Sequence, residues 1–67
     1  MSDRSEAELS EAIQLCVRQC VGQAEPAACV RQYCADLVQT GNWSKQDADA
    51  VEEAALRVIE RLRDVLY

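Results

Sequence analysis

Apolar residues recur along this chain at helical spacing, in three blocks separated by two short polar breaks. In the first block Leu9, Ile13, Cys16 and Cys20 share one helical face, which Ala12 and Val17 widen. The second carries Val30, Tyr33 or Cys34, Leu37 and Val38. The third sets Ala48, Val51, Ala55, Val58, Leu62 and Val65 at alternating steps of three and four, a heptad pattern broadened by Ile59 and Leu66. The pattern predicts helices over about residues 6–21, 26–40 and 45–66.

The residues at the breaks agree. Ser5 followed by Glu8 is a capping box, with the Ser5 hydroxyl placed to accept from the Glu8 amide. Gly22 stands where a left-handed residue closes the first helix, and Gly41 ends the second. Pro26 suits the first helical position, where its missing N–H is no loss. Ser44 caps the third helix with Asp47 three residues on. Acidic Asp47, Asp49, Glu52 and Glu53 lie toward the start of that helix and Arg57, Arg61 and Arg63 toward its end, as the helix dipole favours. Glu53 and Arg57 have the favourable i, i+4 order. The expected fold is all-α: one domain over residues 1–67, a helical hairpin of helices 1 and 2 plus a long third helix.

Size changes the picture. A lone core in a chain below ~70–80 residues seldom supplies more than ~3–5 kcal/mol, so such domains add a covalent link, a metal or a partner. This chain has 67 residues and four cysteines, all between positions 16 and 34. Cys16 and Cys20 lie four apart on the first arm, Cys29 and Cys34 five apart on the second. A bond within one helix is strained, because its Cβ vectors run nearly parallel. Across the hairpin, with the turn centred near Ala24 and Glu25, Cys20 faces Cys29 and Cys16 faces Cys34. Nested bridges in that order suit the geometry, each worth ~2–4 kcal/mol. Cys29 sits ~140° around the helix from Cys34, at the edge of the apolar face, and turns inward if the start of helix 2 is slightly unwound.

Two other readings of the thiols remain open. Cys16, Cys20, Cys29 and Cys34 together are a candidate thiolate site for a soft ion such as Cu(I) or Zn(II), or for an iron–sulfur cluster. Alternatively the cysteines are reduced core residues, since Cys16, Cys20 and Cys34 fall where core residues belong. As a thiol sensor, the best candidate is Cys29, in the first turn of helix 2 near its positive end. The spacing over residues 16–34 resembles the twin-cysteine helical hairpins, the α-hairpinin peptides and the small Cys-x3-Cys chaperones of the mitochondrial intermembrane space. That resemblance implies the bridges Cys16–Cys34 and Cys20–Cys29 and a role in binding another protein. The chain departs from it in its Cys-x4-Cys second arm and its third helix.

Net charge is −5, which disfavours nucleic acid as a partner. No apolar run approaches the ~18 residues of a membrane span. The polar start, Met1 to Glu6, predicts no signal peptide, so the default expectation is a cytoplasmic protein of otherwise unknown compartment. There is no histidine and no glycine-rich phosphate loop, so neither a nucleophile–imidazole couple nor a nucleotide cradle is expected. Trp43 is either an aromatic anchor for a partner or a plug over the end of the bundle. Helix 3, ~33 Å at full extent, outruns the hairpin, and a second copy is the expected cover for its free stripe. The sequence thus predicts a small acidic non-enzymatic interaction domain without a cofactor, binding another protein or itself, with soft-metal binding or thiol sensing as the alternative.

Overall fold

The computed structural model describes residues 4–66, with the side chain of Leu66 left out; Met1, Ser2, Asp3 and Tyr67 lie outside the described residues. Three helices follow in order: α1 Glu6–Cys20, α2 Pro26–Gln39 and α3 Lys45–Leu66. The expected caps form. Ser5 Oγ accepts from the Glu8 amide at 3.2 Å, and Ser44 Oγ from the Asp47 amide at 3.2 Å. Pro26 opens α2, so the first turn there loses no donor it would have used. Arg57 and Glu53 pair at 3.0 Å on the exposed face of α3.

The glycines behave differently from the sequence expectation. Neither has positive φ; the left-handed residue is Asn42, at φ 57°. Asparagine tolerates that region because its short polar side chain bonds locally. Helix α1 needs no such cap: Val21 keeps right-handed geometry and its amide reaches the Val17 carbonyl. Gly41 is fixed by space instead. A Cβ there would stand 2.9 Å from the Leu37 carbonyl oxygen and 3.1 Å from the Trp43 ring.

The core is made of small side chains. Ala12, Cys16, Val17 and Cys20 of α1 meet Val30 and Cys34 of α2 and Ala48, Val51, Ala55 and Ile59 of α3. Leu9, Ile13, Cys29, Tyr33, Leu37, Trp43 and Leu56 pack around them, partly buried. Among the described residues the largest fully buried side chains are Val30, Val51, Asp47, Cys16 and Cys20. Dispersion and burial both scale with the atoms enclosed, so a core of alanine, valine and cysteine with one isoleucine is weak for its number of positions. Three cysteines are therefore core volume as well as chemistry.

Two parts of the expected apolar stripes lie outside this core. Val38 is 39% exposed, because α2 meets its neighbours through Val30, Cys34 and Leu37 and turns Val38 off that line. On α3 the buried series runs Ala48, Val51, Ala55 and then Ile59 instead of Val58. A straight helix drifts ~20° per heptad against a 3.5-residue repeat, so the core-facing line moves to the neighbouring position. The longest dimension of the molecule is 36 Å, close to the length of α3 itself.

Candidate functional site

Cys20 is the last residue of α1, and Cys29 lies in the first turn of α2, four residues from Glu25, whose carbonyl receives its amide at 3.2 Å. The short turn between them sets their Cα atoms 5.5 Å apart, and the two sulfurs pair at disulfide distance. This is the expected link nearer the turn, at the outer end of the hairpin. Helix α2 runs from Pro26 through this position, so Cys29 reaches its partner from helical backbone, without the expected unwinding. It stays partly exposed, at the edge of the apolar face.

The inner pair lies deeper. Cys16 is fully buried and Cys34 6% exposed, and both are thiols in the structure. The two are close enough to share a hydrogen bond. Burial pushes the Cys16 thiol up from its ordinary value, partly offset by the hydrogen bond from Cys34. Cys34 is pushed up to about 12, first by burial, then by Cys16 and by Glu52 and Asp49 of α3. Burial also raises Tyr33, which stands near both. At neutral pH the inner pair is therefore protonated and a poor nucleophile.

The alternative chemistry finds less support. Among the described residues no three His, Cys, Asp or Glu side chains gather where they would hold a metal ion. The four sulfurs split into a bonded pair and a buried thiol pair. Cys29, the expected sensor, is taken up by Cys20 and does not titrate.

No family model, curated protein or solved structure matches this chain. Function must be read from the geometry. No described helix is long and apolar enough to cross a membrane.

At the opposite end of the hairpin, Trp43 packs on the core with its ring under the Arg4 guanidinium, 4.4 Å from carbon to ring centroid. Arg4 also donates to Glu8 at 2.9 Å and to the Gly41 carbonyl at 3.0 Å. The Trp43 amide in turn bonds the Leu37 carbonyl at 3.0 Å. The tryptophan thus closes the bundle end, held from outside by a cation that sequence reasoning passed over. Nothing in the local pattern around Arg4 marks it; its role depends on the chain returning past it thirty-nine residues later. A groove of about 250 Å³ runs beside Trp43, with Leu15, Tyr33 and Leu37 on its apolar side and Glu8 and Glu11 at its rim. Leu15, 46% exposed, was not in the expected stripe of helix 1.

Along α3 a single face changes character. Val51, Val58 and Val65 follow at heptad spacing, and their exposure climbs from 0% to 39% to 82%. On the adjoining line Ala55 is sealed, while Leu62, seven residues on, is 36% exposed. The face that is core in the first turns runs bare where the hairpin ends.

Proposed function

We propose that this chain is a small, acidic, non-enzymatic protein-interaction domain, in which the Cys20–Cys29 link holds the hairpin and the far half of α3 meets a partner. The supporting observation is the rising exposure along Val51, Val58 and Val65. A heptad pattern continued past its own cover presents an apolar face to another helix. The net charge of −5 speaks against a phosphate backbone as that partner. The first candidate is a second copy of the chain.

Size limits the strength of such a contact. Stable interfaces bury roughly 800 Å² per partner, and the side chains of Val58, Leu62 and Val65 supply only a fraction of that. Self-association is therefore weak and concentration-dependent. Sedimentation velocity over a wide concentration range tests this: the unaltered chain shifts toward dimer mass as concentration rises, and Leu62→Glu with Val65→Glu remains monomeric. Because those positions are already exposed, the double variant keeps its melting temperature. A chain that stays monomeric throughout removes the second copy as the partner; a double variant that unfolds shows the face to be core and removes the interaction reading with it.

A further inference from the structure

Beyond its free end, α3 has a second relation to the hairpin. Cys16 is sealed and Cys34 nearly so, in one core cluster with Ala48, Val51 and Ala55 of α3. An open groove of about 310 Å³ follows the seam between α2 and α3, with Cys34 and Val38 on one wall and Ala48, Asp49 and Glu52 on the other. The inner thiols thus meet the surface, where they do at all, along the line on which α3 is docked. One helical turn away, Cys20 and Cys29 already tie the two arms together.

We propose that α3 is the cover of the inner thiol pair: while it is docked, Cys16 and Cys34 stay reduced, and when it lifts, a low-molecular-weight disulfide closes them into a second bridge. The tie at Cys20–Cys29 makes this step selective. Lifting α3 leaves the hairpin arms joined ~6 Å along the helix from Cys16, so the two thiols remain neighbours instead of drifting apart. Their protonation inside the docked structure acts in the same direction, keeping them inert until water reaches them.

The chemistry balances. Cys34, the less sealed of the two, loses its proton to solvent and attacks one sulfur of the small disulfide, forming a mixed disulfide and expelling one thiolate. Cys16 loses its proton and attacks the Cys34 sulfur, expelling the second thiolate. Two protein thiols are oxidised to one bond, and the small disulfide is reduced to two thiols. Any event that lifts α3, including engagement of its free face by a partner, is thereby recorded covalently. The inference does not depend on which partner that is.

The test uses the full chain with Cys20–Cys29 intact and 4,4′-dithiodipyridine as oxidant, following release of thiopyridone. The docked chain should release it about a hundredfold more slowly than the same chain in denaturant, since only opened molecules react. Val51→Ala, which loosens the seat of α3, should speed release about tenfold while the helical circular dichroism signal is kept. The product should weigh two hydrogens less than the starting chain and carry no adduct. A second readout needs no variant: by hydrogen exchange, α3 amides should open sooner than those of α2 around Cys34, at the rate of thiol release. Release as fast in the folded chain as in denaturant, a pyridyl adduct on each thiol in place of a bridge, or equal protection of α2 and α3 would each overturn the proposal.

Discussion

The two ends of the hairpin are closed by different means. At one, Trp43 caps the core, Arg4 lies over its ring, and Gly41 is so tightly enclosed that no Cβ fits without a shift. At the other, Gly22 has nothing within 4 Å of where its Cβ would stand, the turn is exposed, and a pair of sulfurs joins the arms. One end is held by packing and cation–π contact, the other by a covalent link between the fully buried Cys20 and the partly buried Cys29, beneath an exposed turn. Where aromatic area is present it does the holding, and where it is absent sulfur does.

Substitutions should separate the two ends cleanly. The largest effect is expected from Trp43→Ala, about 3 kcal/mol by urea unfolding, since a half-buried tryptophan falls at the low end of large-to-small losses. Cutting the other end, by Cys20→Ser with Cys29→Ser, removes a link of sequence separation 9. The chain-entropy relation gives about 2.5 kcal/mol for a loop of that size. Trp43 fluorescence, followed through the same titrations, should shift in the folded state of the first-end variants Gly41→Ala and Arg4→Ala and stay put in the cysteine variant.

Alkali should act between the two ends, on the inner thiols. The folded-state value of Cys34, about 12, lies above its ordinary 9.0, and Cys16 is raised in the same direction. A raised value means the folded chain holds the proton more tightly than the unfolded one. Its stabilising contribution is complete below pH 9 and is lost as pH rises toward 12. Urea midpoints should hold level from neutrality to about pH 9 and then fall, with a shallower fall in Cys34→Ala.

The smallest effects come from the glycines and have opposite signs. Gly41→Ala should cost about 1–2 kcal/mol, because the added Cβ presses on the Leu37 carbonyl and the Trp43 ring. Gly22→Ala, in open space and without positive φ, should gain about 0.4–1 kcal/mol by restricting the unfolded chain. Equal effects at both sites would erase the contrast between the ends.

Much of this was legible in the sequence where the signal is local. The caps at Ser5, Pro26 and Ser44, the bounds of the helices to within a residue or so, and the facing of Cys20 and Cys29 all follow from short-range rules. Features set by the third dimension were not. The drift of the α3 core line from Val58 to Ile59 depends on how far a helix stays straight, which a heptad template does not contain. After α2 the left-handed residue is Asn42, and Gly41 is set instead by its close approach to the Leu37 carbonyl and the Trp43 ring. Arg4 finds Trp43 only once α2 has brought the chain back to the start of α1.

The central claim is that the four cysteines form two tiers, an outer bonded pair and an inner pair of sheltered thiols. Alkylation by iodoacetamide in three steps, folded, denatured and then reduced, with peptide mapping, tests it most directly. The account predicts no label on the folded chain, label on Cys16 and Cys34 alone after denaturation, and label on Cys20 and Cys29 only after reduction. Label on Cys20 or Cys29 before reductant is added would contradict it.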